Sequence, residues 1–352
     1  MRDKRKLLNI GLILIIFLLI IAANSGLDSY RIRILNLCAI YTVLGLSMNL
    51  INGFTGLFSL GHAGFIAVGA YTTALLTMSE KVKNQNFFME PLMAPLNHIS
   101  ISFLPALFIA GIISAVIAFL IGAPALRLKG DYLAIATLGF AEIIRIILNN
   151  TQTLTNGALG LRGVPRETNL FWSFGIAIFT IMIILSIMNS SYGRALKSIR
   201  EDEIAAESMG INLFKHKTLA FVTGAFFAGV GGGLLGNLLG TIDPSMFKFV
   251  LTFNILLIVV IGGMGSVTGT VISAFVVTIL GEVLRFLDME KQFSFGFINF
   301  SGIPGLRMVI FSVILMVIVL FFRNGIMGTK ELSWNLFLKK SKKKPLAEGG
   351  DK

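Results

Sequence analysis

Side chains able to do covalent chemistry are few and scattered along this chain. His62, His98 and His216 fall in separate segments, no His-Glu-x-x-His pattern joins them, and Cys38 is the single cysteine. Neither a zinc site of the metalloprotease kind nor an internal disulfide can be built from that set, and no metal site is expected. Cys38 lies in an apolar run and reads as a small buried side chain. Two acid–base pairs share one spacing: Glu142 with Arg145 and Glu282 with Arg285, each three residues apart. On a helix that spacing lets each pair partly neutralise itself. Both lie near the outer end of an apolar run, where charge is costly unless paired or wet. They read as helix ends reaching for the membrane interface, or as the outer mouth of a pathway and a contact for an external protein.

Two glycine-rich, uncharged stretches interrupt the apolar runs, Gly53–Gly64 and Gly262–Gly269. Glycine permits unusual backbone and close helix approach, and non-helical backbone at membrane depth survives only where protein or a cavity surrounds it. Paired interruptions of this kind point to a solute pathway, with Gly56, Ser59, Gly61, His62, Gly263 and Gly265 as its candidate lining. The competing reading is tight helix–helix packing at both places. His62 alone is more often a helix-end histidine satisfied by backbone than a substrate ligand.

The most informative polar segment is residues 190–212, reading SSYGRALKSIREDEIAAESMGIN. Ser190 or Ser191 can cap a helix start, and Gly210 can end it in the left-handed conformation. Leu196, Ile199, Ile204, Ala206 and Met209 recur at spacings near three and four between Arg200, Glu201, Asp202, Glu203 and Glu207. The expectation is one short amphipathic helix with small residues at Ala205 and Ala206. Such a helix suits a groove on a soluble partner. The alternative is a helix lying on the bilayer. The acidic cluster Glu201–Glu203, and the lack of Trp or Phe, favour the partner.

The elements that must position these residues are membrane spans. Of the 352 residues 55% are hydrophobic and only 14% charged, against roughly a quarter charged in soluble domains. Near-continuous apolar runs predict ten spans at about 7–23, 34–51, 62–78, 102–123, 132–148, 170–189, 218–240, 249–264, 269–287 and 305–322. Leu7–Ala23 is expected to remain as the first span, because Ala22-Ala23-Asn24-Ser25 matches a cleavage site only loosely. With a cytoplasmic N-terminus, the inner segments hold 19 of the 30 Lys and Arg, which obeys the positive-inside tendency. Arg31 and Arg33 are the main exception. The net charge of +12 is thereby explained by topology, without nucleic acid. The expected fold is an all-α polytopic transmembrane bundle with both termini cytoplasmic. Residues 1–322 form the membrane domain, with its cytoplasmic loop at 190–217. Residues 323–352 form a basic tail whose Lys339–Lys344 run lies on anionic lipid.

Here the sequence resembles a known family. Ala205-Ala206-x-x-x-Gly210 resembles the helix by which permeases of ATP-binding-cassette importers engage their ATPase. Glu203 stands one residue early, and Ile204 occupies the acidic position, so which acid meets the ATPase stays open. Gly56–Phe65 (GLFSLGHAGF) with Gly69-Ala-Tyr71, Leu128–Phe140 (LKGDYLAIATLGF), Thr155-Asn-Gly157 with Gly160-Leu161, and Ile261–Gly269 (IGGMGSVTG) resemble blocks of the LivM-type permeases of branched-chain amino acid importers. The resemblance covers almost the whole chain. It implies a channel shared with a LivH-type permease subunit, two ATP-binding subunits and an extracytoplasmic substrate-binding protein. It also implies that Arg200, Glu203, Ala205, Ala206, Glu207 and Gly210 belong to the ATPase contact.

Leucine, isoleucine and valine follow from the resemblance as substrates, although urea permeases share several of these blocks. No cofactor is expected: the chain lacks a phosphate-binding GxxxxGK[ST] loop, so ATP would be bound by the partner subunits. An ion-coupled transporter would need buried acids on the path, yet Glu142 and Glu282 carry their own arginines. A membrane enzyme is the weakest reading, since no nucleophile–base pair is visible.

Overall fold

A computed structural model describes residues 20–23, 26–128, 130–285, 293–295, 298–300, 306–321, 325–328 and 330–331. Among them, helices occupy nine of the ten expected segments. The remaining one, 7–23, lies outside the described residues apart from its last four, as do the Lys339–Lys344 run and the rest of the tail beyond 331.

Helix α1 (Ser29–Asn49) runs straight into a π-turn at Leu50–Phe54. After a non-helical stretch come α2 (His62–Thr77), the short α3 (Glu80–Asn86), α4 (Phe103–Ala125), α5 (Asp131–Asn150) and one turn, α6 (Gln152–Thr155). Next are α7 (Leu170–Asn189), α8 (Ser191–Glu201), α9 (Glu203–Ser208), α10 (Leu213–Leu239), α11 (Phe249–Gly262), α12 (Val267–Val283) and α13 (Leu306–Phe321). Among the described residues, strand is confined to two small ribbons. Strand β1 (Leu161–Arg162) pairs antiparallel with β2 (Thr241–Ile242), and β3 (Phe293–Phe295) pairs with β4 (Ile298–Phe300). Ser29–Phe54, Phe103–Ala125, Leu170–Asn189 and Leu213–Leu239 are each long and apolar enough to cross a bilayer. Helices dominate because lipid offers no partner for backbone N–H and C=O, so each span must satisfy its own.

The centre of the bundle is α10, packed between α2, α4 and α1. A helix so rich in glycine is a weak helix former in water, but here small residues let neighbouring backbones touch. A Cβ on Gly69 of α2 would stand 2.0 Å from the Gly229 carbonyl oxygen of α10, so no side chain fits at that crossing. Phe65 meets Phe221 edge-on at 5.6 Å beside it. Asn212 caps the start of α10 by accepting from Lys215 N, and Gly240 ends it in the left-handed region.

Beyond the far end of α2, residues 79–101 are folded rather than bare. Lys83 is fully buried, and its Nζ donates to Leu96 O at 2.8 Å and Ile99 O at 2.5 Å. Ile101 N donates to Leu76 O, which closes this flap onto α2.

Candidate functional site

The segment at 190–210 is not one helix. Asp202 adopts an extended conformation (φ −158°, ψ 114°) and splits it into α8 and α9. The physical reason is capping: the Asp202 carboxylate accepts from Ile204 N at 2.8 Å and Ala205 N at 3.0 Å, starting a new helix where the pattern predicts continuity. The far end is as expected. Gly210 takes φ +82°, Gly210 N donates to Glu207 O and Ile211 N to Ala206 O, the paired bonds of a Schellman stop.

The two halves differ in surroundings. On α8, Leu196 and Ile199 are buried, Leu196 in a cluster with Leu46, Leu50, Phe54, Ile184 and Met188. This half is therefore seated on the π-turn of α1 and the end of α7. On α9, Ile204 is 78% and Met209 82% exposed, with Ala205 and Glu207 also exposed, whereas Ala206 is buried at 3%. Of the two alanines only Ala205 faces outward. The acids divide as well. Glu203 pairs with the nearly buried Lys217 of α10 at 2.6 Å, while Glu207 has no ion pair among the described residues. A tilted ring pair, Tyr192 with His216 at 4.9 Å, further ties α8 to α10.

The two glycine stretches, more than 200 residues apart, meet directly beneath α8. Asn49 holds them together: its Nδ2 donates to Ser266 O at 2.9 Å and Thr270 Oγ1 at 2.7 Å, and its Oδ1 accepts from Gly265 N at 2.9 Å. Arg200 reaches in from α8 and donates from Nη1 to Gly53 O at 3.1 Å, while Nη2 donates to Glu201 at 2.6 Å. Residues 325–328 and 330–331, which follow the last expected span, pack on the second stretch. Ile326 N donates to Ile261 O at 2.8 Å, and Glu331 accepts from Val267 N at 2.6 Å and Thr268 N at 3.0 Å, capping the start of α12. Between the two stretches lies a cavity of about 840 Å³, bounded by Asn52, Gly53, Gly56, Arg200, Met264 and Lys330 among others.

Of the six residues expected to line a pathway, Gly56 lies on this wall. Gly263 packs against Gly325 and Gly328, and Gly265 against Gly53 and Arg200. Gly61 is buried against Thr137 of α5. Ser59 is buried and held through its backbone, Asn52 Nδ2 donating to Ser59 O at 3.1 Å. His62 is buried, and its Nε2 lies 2.8 Å from Ser47 Oγ, which itself donates to Leu44 O. Sequence reasoning missed Asn49, Asn52, Lys217 and Glu331. The signal for the two asparagines was present, since a carboxamide in an apolar run must find partners inside the bundle.

The charge pairs form as spaced. Arg145 Nε donates to Glu142 at 2.9 Å and Arg285 Nη1 to Glu282 at 2.8 Å; Tyr30 Oη adds a bond to Glu282 at 2.6 Å, joining α1 to α12. A second cavity of about 660 Å³, among Leu75, Ile113, Ile117, Ile144 and Ile147, is walled almost wholly by apolar side chains.

Apolar spans, glycine loops joined inside the bundle and a short helix projecting beside a seated one define a helical, multi-pass membrane protein of the cell membrane. The chain belongs to the branched-chain amino acid transport system / permease component family, whose sequence profile matches residues 30–322. It is 34% identical over 289 residues to the high-affinity branched-chain amino acid transport system permease protein LivM of Escherichia coli K12 and to that of Salmonella typhimurium LT2, covering 72% of this chain. It spans 63% of the length of those two relatives. A probable LivM protein of Methanocaldococcus jannaschii is 23% identical over 83% of this chain and 92% of its own length, and LivH of E. coli K12 is 24% identical over the same shares. No solved structure matches.

Proposed function

We propose that the chain is a permease subunit of an ATP-driven importer that moves leucine, isoleucine and valine across the cell membrane by alternating access. The observation that carries this reading is α9: a short helix, capped at both ends, projecting an apolar and acidic face while its neighbour α8 is seated in the spans. That geometry suits insertion into a groove on an ATPase subunit. Ile204, Ala205, Glu207 and Met209 form the docking face, Gly210 stops it, and Ala206 and Glu203 anchor it to the bundle through burial and Lys217. Glu207 is then the acid that meets the ATPase.

On this reading there are ten spans with both termini and α9 cytoplasmic. The partners are a LivH-type permease, two ATP-binding subunits and an extracytoplasmic binding protein. The cavity between the glycine stretches is the inner end of the pathway, and the two charge pairs stand at the outer end. Residues 1–322 act as the permease domain, extended inward by the packed residues 325–328 and 330–331.

The test is affinity purification with the neighbouring gene products, together with leucine uptake in a strain lacking other carriers. Ala205→Glu places a charge on the docking face. The expected outcome is loss of the ATPase from the purified complex, uptake reduced at least about tenfold and folding intact, as for truncation of an interface hot spot. Wild-type ATPase retention and uptake in Ala205→Glu would refute the docking face. Unchanged leucine, isoleucine and valine uptake after deletion of the gene would refute the substrate class.

A further inference from the structure

Arg200, on the seated helix α8, contacts both glycine stretches. Its guanidinium donates to Gly53 O in the π-turn, and its Nη1 lies where a Cβ on Gly265 would be 2.6 Å away. Its stem lies against Gly56, where a Cβ would stand 2.9 Å from Arg200 Cγ and 3.3 Å from Arg200 Cα. Gly56 and Gly265 both have positive φ, +75° and +88°, so an ordinary side chain is disfavoured at either by backbone and by space together. Two of the glycines that read in sequence as pathway lining or packing, Gly56 and Gly265, thus form a socket for one arginine.

We propose that Arg200 is the positioning residue through which displacement of α9 reaches the two glycine stretches; this rests on the ATPase-docking reading above. A π-turn leaves its last carbonyls without helical partners, and Arg200 supplies a charge-assisted donor to one of them. Single π-turns inside α-helices are rare and are frequently found at functional places. Leu196 and Ile199 seat α8 beside that turn, but apolar contacts slide. The Arg200–Gly53 bond has direction and fixes register. Movement of α9, carried through the Asp202 break to α8, therefore draws on the Gly53 carbonyl and on Gly265 together. Asn49 keeps those two loops moving as one.

The complete importer, reconstituted in liposomes with its ATPases, partner permease and binding protein, allows a decisive comparison of wild type, Arg200→Ala and Arg200→Lys. The readouts are ATPase retained on the complex, leucine delivered per ATP hydrolysed, and stimulation of hydrolysis by loaded binding protein. Expected for Arg200→Ala is full ATPase retention with leucine per ATP reduced roughly tenfold, within the range of an ordinary coupling between two sites. Arg200→Lys, with a single-point donor still able to seek Gly53 O, is expected to recover part of the loss. A wild-type ratio of leucine to ATP in Arg200→Ala overturns the assignment. So does loss of the ATPase, which would make Arg200 a docking residue instead. Absence of any ATPase from the wild-type complex would overturn the proposed function itself, which separates the two failures.

Discussion

At the scale of single residues, burial decides what each charged group can do. Lys83 is buried whole, and desolvation holds its amine below the ordinary lysine range, with Glu80 opposing the shift. The folded chain therefore binds fewer protons than the unfolded chain between that depressed value and about 10.4, the unperturbed lysine value. Stability must rise with pH through this window and lose that increment as pH falls through the folded pKa. Thermal unfolding of detergent-purified protein from about pH 8 to 11 should show the slope, and Lys83→Met should flatten it. The same reasoning separates Ala205 from Ala206. A charge on exposed Ala205 tests docking, whereas a charge on buried Ala206 would test only folding.

At the scale of elements, the close approach of α2 to α10 is one of the most constrained contacts among the described residues. Because a Cβ on Gly69 would lie 2.0 Å from a backbone oxygen, no rotamer change relieves the clash, and the helices must separate. Gly69→Ala is expected to destabilise at or above the upper end of about 1–3 kcal/mol, the usual range for overpacking. Gly139, on α5, has open space around its would-be Cβ. Gly139→Ala should gain roughly 0.5–1 kcal/mol from helix propensity alone. Opposite shifts in the unfolding temperature of the two variants would establish that packing, not glycine content, sets this crossing. Equal shifts would contradict it. The same scale holds the Asp202 break, which turns one expected helix into a seated half and a projecting half.

At the scale of the whole molecule, topology becomes testable because the single native thiol is hidden. Cys38 is fully buried, so background labelling should be low. Lys197 on α8, and Lys81 and Arg162 at the opposite end of the bundle, are exposed. In intact cells a membrane-impermeant maleimide should label Lys81→Cys and Arg162→Cys, and should label Lys197→Cys only after permeabilisation. Labelling of all three in intact cells would contradict the proposed sidedness.

Much of the fold was legible from the chain alone. An apolar run in lipid has only its own backbone to bond with, so the placement of α2, α4, α7 and α11 follows from local composition, and the helices match the expected segments to within a few residues. The spacing of Glu142 with Arg145, and the stop at Gly210, are equally local. What only the tertiary structure decided is how distant segments meet. Arg200 bonds a residue 147 positions away, and Asn49 one 216 positions away, and no periodicity encodes such a pairing. The break at Asp202 also escaped the pattern, because a cap and a helical position suit the same side chain until the surrounding contacts choose between them. The sequence by itself determined that this is a bundle of membrane helices with two glycine interruptions and a polar helix between spans. Tertiary packing alone brought those three features to one place, because contacts across the bundle depend on which faces meet, which no single run of residues contains.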